Sequence, residues 1–180
     1  MKNTLCVNRI LSAAVLLLLT KGAAATGTPN LEITGTILSR TCEVATTSLD
    51  QTVDIGHFTA GSFTSIGATS AAKKFDIELT GCGSAASGAK LTFSGSSDTD
   101  NPALLALSDT SGGGGIADGV AVEVLDNNQQ PVGLNTLSTT IFALAPGDIS
   151  LPFYLRYKST KSTVKPGNAS AVMYFDVQYQ

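Results

Sequence analysis

The stretch Ala171-Val172-Met173-Tyr174-Phe175-Asp176-Val177-Gln178-Tyr179-Gln180 decides the fold. Ala171, Met173, Phe175, Val177 and Tyr179 recur at every second position, which places them on one face of a strand. Working back along the chain, the same period returns in Leu151, Phe153, Leu155 and Tyr157, then in Val120, Val122 and Val124, and in Leu91 and Phe93. It returns again in Phe75, Ile77 and Leu79, in Val53 and Ile55, and in Leu31, Ile33 and Ile37. Turn-forming pieces lie between them: Thr80 to Gly83, Ser94 to Pro102, Gly112 to Gly115, Asp126 to Pro131, Ala145 to Asp148 and Lys165 to Asn168. Many short strands joined by turns predict an antiparallel β-sandwich. Asn101 to Leu107 reads as a single helical turn, too short to alter the class.

Composition agrees. The 180 residues are 43% apolar but only 14% charged, with 18 Gly and no Trp. A length of roughly 100–200 residues per domain makes this one domain with a continuous core. The charged fraction falls well below the roughly 25% of an average soluble protein, as expected of a chain rich in turns and strands. A net charge of -3 argues against a nucleic-acid partner, because neutralising phosphates needs clustered Lys and Arg.

The first 25 residues read as an address. Lys2 and Arg9 precede the apolar run Ile10 to Leu19, and Gly22-Ala23-Ala24-Ala25 supplies small residues for cleavage. That is the pattern of a secretory signal peptide, and the run is about half the ~20 residues that span a bilayer. The mature chain then has no membrane span. Cleavage after Ala25 removes Lys2, Arg9 and Lys21 and no acidic residue, so the net charge moves from -3 to -6. Cys6 leaves too, and Cys42 and Cys82 remain in a chain bound for an oxidising compartment, where a disulfide is the default. Closing that loop would stabilise the fold by about 4 kcal/mol in the chain-entropy model. A metal site would need more ligands than two thiols and His57 supply.

The two ends carry a further pattern. The alternation of 171–179 runs to the last residue, where chains fray unless a partner surface holds them. Near the other end, Leu31 and Ile33 alternate with polar residues, in step with Pro29 and Gly35, ahead of the first bridging cysteine. Two readings stand open on pattern alone: ordinary edge strands of a complete sandwich, or a detachable strand and a surface that receives one.

Further residues narrow the choice. Gly35-Thr36-Ile37 precedes Cys42; Ser65-Ile66-Gly67-Ala68-Thr69 follows; Phe75-Asp76-Ile77-Glu78-Leu79 runs into Gly81-Cys82-Gly83. Then come Phe93-Ser94-Gly95, Leu104-Leu105-Ala106-Leu107, Gly119 to Val124 with Leu134-Asn135, and Tyr154-Leu155-Arg156-Tyr157. Gly167 stands fourteenth from the end and Tyr179 is penultimate. In this joint order, over essentially the whole mature chain, the sequence resembles the structural subunits (pilins) of type 1 fimbriae assembled by the chaperone–usher route. The likeness is somewhat greater to minor adaptor subunits, through Ile66 to Thr69 and Leu104 to Leu107.

The resemblance implies an immunoglobulin-like β-sandwich that lacks its last strand and is completed by donor-strand complementation. Residues 1–25 would be the signal peptide, 26–36 the donor extension and 37–180 the pilin domain. Pro29, Leu31, Ile33 and Gly35 would insert into a neighbouring pilin subunit. Gly167, Ala171, Met173, Phe175, Val177 and Tyr179 would form the acceptor groove, with the Cys42 strand flanking its opposite side, occupied first by a strand from a periplasmic chaperone and then, at the outer-membrane usher, by the next subunit. Pairing of this kind takes affinity from backbone hydrogen bonds and specificity from alternate side chains. Burying Leu31 and Ile33 would contribute about 1.5–3 kcal/mol each, an upper bound. Pro29 departs from the Val, Ser or Gly of the family and removes one backbone donor. The expected destination is the cell-surface fimbrium, the expected role is structural and in support of cell adhesion, and no cofactor is called for. The alternative is a tip adhesin that binds a host carbohydrate directly, although such proteins carry a receptor domain ahead of the pilin domain.

Enzymatic readings find no constellation. His57 is the single imidazole, with no nucleophilic Ser or carboxylate placed beside it by spacing. Asp98 and Asp100 read as a solvated turn rather than a Ca²⁺ site. Lys158, Lys161 and Lys165 read as a solvated edge that discourages mispairing. Gly112 to Gly115 reads as a loop tip, lacking the Lys and Ser/Thr of a phosphate-binding loop.

Overall fold

The structure is a computed structural model and describes residues 41–85 and 87–180. The signal peptide and the donor residues Pro29, Leu31, Ile33 and Gly35 lie outside the described residues. The described residues form seven strands: β1 (Glu43–Val44), β2 (Lys73–Cys82), β3 (Gly88–Ser94), β4 (Val120–Leu125), β5 (Phe142–Ala143), β6 (Gly147–Ser159) and β7 (Tyr174–Tyr179). They form two antiparallel sheets, ordered β1-β2-β6-β4 and β5-β3-β7. Among the described residues helix is confined to α1 (Thr46–Leu49) and a 3-10 turn at Ala60–Ser62.

The alternation read from sequence is the reason these two layers face each other. Phe75, Ile77 and Leu79 of β2 stand opposite Phe153, Leu151 and Ile149 of β6, so the inward sets coincide across the ladder. Leu91 and Phe93 project from the facing sheet and are fully buried. Phe93 meets Phe153 edge-on with ring centroids 4.9 Å apart, and Phe75 lies 5.8 Å from Phe153. This aromatic centre is the preferred edge-to-face packing and holds the sheets together. The Cys42–Cys82 disulfide forms, and both cysteines lie in the core beside it.

Three local expectations are corrected. Val53 and Ile55 keep their inward alternation and pack on the core, but residues 51–59 form no ladder. Asn101 to Leu107 is not helical; a turn at Asn101–Leu104 leads into Leu105, which exchanges both backbone hydrogen bonds with Val122 and so pairs along the edge of β4. Every residue of β4 is buried, including Glu123, on the face that a two-layer sandwich would leave in water. The last strand begins at Tyr174 rather than Ala171, because its partner β3 stops at Ser94, the residue opposite Tyr174.

Candidate acceptor groove

β7 pairs with β3 on one side, and among the described residues no strand pairs with its other side. The Gln180 N–H donates to the Gly88 carbonyl at 2.8 Å. Antiparallel ladders alternate, so the backbone groups of Tyr174, Asp176 and Gln178 face β3. Those of Phe175, Val177 and Tyr179 therefore face outward along an open edge.

Side chains on this strand report the same gap. Phe175, Val177 and Tyr179 point inward, together with Met173 and Ala171 just before the strand, and pack on the core, yet each is only half-buried. Their counterparts on the neighbouring strand, Ala89, Leu91 and Phe93, are 0% exposed. Two strands of one sheet, facing one core, differ because among the described residues one side of β7 has no cover.

The uncovered side is a cleft of about 490 Å³, walled by Met173 just before β7, by Phe175, Val177 and Tyr179 on it, and by Cys42, Val44, Ser48 and Leu49 opposite. β1 is the edge of the other sheet and pairs only with β2, through Glu43 and Val44. α1 continues that wall, anchored by Ser48, whose Oγ accepts the Glu78 N–H at 2.9 Å. At one end the walls are tied: the Tyr179 hydroxyl donates to the Cys42 carbonyl at 2.9 Å. Burial pushes the Tyr179 phenol up from its ordinary pKa, so the hydroxyl stays a donor at neutral pH.

A second cavity of about 390 Å³ lies between residues 54–63 and 164–170. Phe58 and Tyr157 stack edge-on there at 6.0 Å, and the Tyr157 hydroxyl donates to the Ala169 carbonyl at 2.6 Å. Gly167 lines this cavity, and its place is set by close approach of two backbones. A Cβ there would sit within 2.6 Å of Ile116 and Ala117 backbone atoms and nearer still to the Gly115 carbonyl. Asn168 pairs with Ile116 in a parallel bridge beside it.

The residues singled out on the C-terminal side thus divide. Met173, Phe175, Val177 and Tyr179 wall the cleft, Gly167 lines the neighbouring cavity, and Ala171 lies between them in sequence, packed on the core. Sequence reasoning did not name the opposite wall beyond the Cys42 strand. Val44, Ser48 and Leu49 carried no periodic signal. Of the remaining candidates, His57 lines the second cavity. Asp98 caps a turn, its Oδ1 accepting the N–H groups of Asp100 and Asn101 at 3.0 and 2.9 Å. The three lysines are ion-paired: Lys158 with Glu123 at 2.7 Å, and Lys161 and Lys165 with Asp118 at 2.6 and 3.3 Å. Gly112 to Gly115 is wound round Asp109, whose carboxylate accepts the Gly114 N–H at 2.8 Å. The positive φ of Gly112, Gly114 and Gly115 makes that winding possible.

Comparison with known proteins joins this geometry to a family. The family model described as fimbrial protein matches residues 31–180. The fimbrial-like protein YcbU of Escherichia coli strain K12 is 43% identical over 152 residues, covering 84% of each chain. The fimbrial subunit type 1 of Salmonella typhimurium is 36% identical, over 93% of this chain and 95% of that one. Among solved structures, the P pilus rod subunit PapA superposes with a TM-score of 0.64 at 25% identity, over 78% of this chain and all of that one. The sandwich is therefore of the incomplete immunoglobulin-like kind found in pilus subunits. Its described residues contain no helix long and apolar enough to cross a membrane. The chain belongs to the fimbrial protein family: it is a structural subunit of a surface fimbrium, exported from the cell and assembled with other subunits.

Proposed function

We propose that the cleft beside β7 is an acceptor groove, filled first by a strand from a periplasmic chaperone and then, at the outer-membrane usher, by the donor segment of the next subunit. The observation that carries this reading is the half-buried inward series Met173, Phe175, Val177 and Tyr179, set against the fully buried series of β3. An inserted strand would pair the open edge of β7 and cover these side chains together, removing an aggregation hazard. Residues 28–36 of this chain, with Pro29, Leu31, Ile33 and Gly35 on the inserting face, would do the same for a neighbour. The role is structural and not enzymatic. A tip adhesin that binds a receptor directly has less support, because the relatives named above are fimbrial and rod subunits.

The test is deletion of Thr26 to Thr34. The shortened chain should co-purify with its chaperone yet fail to enter fibres as a donor, and normal incorporation of that variant would sink the assignment. Expression of the mature chain with no chaperone should give aggregate or degradation. A stable soluble monomer would show that no strand is missing.

A further inference from the structure

Alternation protects a strand pair from a slip of one residue, which would turn every apolar side chain outward. It gives no protection from a slip of two, which returns the same face to the core. A groove walled by one alternating strand therefore needs another feature to fix where the incoming strand stops.

The two ends of this groove differ in the way such a feature requires. Toward Gly167 the chain leads into the second cavity, of about 390 Å³, between residues 54–63 and 164–170. At the other end the Tyr179 ring crosses from β7, and its hydroxyl bonds to the Cys42 carbonyl on the far wall. Cys42 is itself fixed to β2 through Cys82. Beyond Tyr179 the backbone stays paired with the neighbouring strand, the Gln180 N–H donating to the Gly88 carbonyl and the Ser87 N–H to the Gln180 carbonyl. One end is closed by a side chain anchored on a covalent cross-link, whereas among the described residues no hydrogen bond ties Met173 or Phe175 to the opposite wall.

We propose that the Tyr179–Cys42 tie is the register stop of the groove, closing one end so that an inserted strand seats against it and cannot slip by two residues. The inference rests on the acceptor-groove reading above. Tyr179 is then a positioning residue, acting through the Cys42 carbonyl, and it selects among donors by where their apolar series begins relative to the closed end. The occupant it measures is an extended peptide of the donor type.

The probe is a synthetic peptide of residues 28–36, bound to the mature chain during refolding. Versions with Trp added at the N-terminus or at the C-terminus separate the two ends without altering the subunit. A closed end predicts more than a tenfold loss of affinity for Trp at one terminus and less than a twofold loss at the other; equal tolerance at both overturns the proposal. In a second measurement, a Glu32→Cys peptide is cross-linked to subunits carrying Tyr174→Cys, Asp176→Cys or Gln178→Cys. With Tyr179 present one partner should dominate, and with Tyr179→Phe the yield should spread to positions two residues away. A merely stabilising tyrosine would lower the melting temperature and leave the single partner unchanged, which overturns the proposal. Failure of the native chain to bind any of the peptides would remove the acceptor groove and the register stop together, whereas binding without end dependence removes only the stop.

Discussion

Gly167 shows how a single residue can be dictated by its neighbours' backbones. No left-handed conformation is recorded for it, yet a methyl group there meets main-chain atoms of residues 115–117 that cannot move aside as a side-chain tip would. Gly167→Ala should cost about 1–3 kcal/mol, the usual range for overpacking, and lower the melting temperature of the peptide-bound subunit by several degrees. Glu123 poses the opposite problem, a carboxylate 3% exposed on the face of β4 turned away from the core valines. Arg156 and Lys158 reach it at 2.6 and 2.7 Å while keeping 24% and 27% of their own surface in water. Glu123→Ala should destabilise by about 3 kcal/mol, the low end for breaking a buried pair, because the two cations left behind are partly hydrated. Chemical denaturation of the peptide-bound subunit checks it. Asp118 is exposed, and hydrogen bonds from Lys161 and then Lys165 hold its carboxyl below the ordinary aspartate value. A depressed folded-state pKa contributes stability in full above about pH 4, and that contribution is lost as pH falls through the lower folded value. Asp118→Asn should flatten the acid limb of a melting-temperature profile, by a small amount because the groups are solvated. An unchanged limb would show that the network adds nothing.

At the scale of elements, the ladder geometry of β7 makes a prediction residue by residue. Amides of Asp176 and Gln178 face β3 and should exchange slowly with or without a donor peptide. Those of Phe175, Val177 and Tyr179 face the groove and should exchange fast in the empty subunit and become protected when a peptide binds. Protection of all five before binding would mean the edge is already paired. The same strand explains what the sequence could and could not reveal. Period two exposed the inward faces of β2, β3, β6 and β7 directly, because each has one wet side. It was silent at residues 101–107, where Leu105 pairs with the edge of β4, because a short apolar run does not announce whether it is helix or extended chain. It misled at Val53 and Ile55, where alternation reflects two side chains packed on the core with no neighbouring strand. The far wall of the groove and the bond from Tyr179 to Cys42 join residues 137 apart in sequence, and no local pattern encodes such a meeting.

For the whole molecule, the disulfide is the long-range constraint. It closes a separation of 40 residues, for which the chain-entropy model gives about 4 kcal/mol, and it also fixes the carbonyl that receives Tyr179. Replacing both cysteines by Ser should therefore lower folded yield in the periplasm and weaken peptide binding, while Tyr179→Phe should affect binding with the yield largely kept. Equal yields for the native and the double-serine chains would assign the cross-link no role in folding. Its position has a mechanical meaning as well. Cys42 follows the segment assigned as donor and precedes β1, which offers β2 only Glu43 and Val44 as ladder partners. A pull applied through residues 28–36 would reach Cys42 and pass through the sulfur bridge to Cys82 at the end of β2, a ten-residue strand paired with the longest strand in the fold. Two-residue β1 is bypassed. Tension entering through the proposed donor would thus be passed to a broad ladder rather than to a short edge strand.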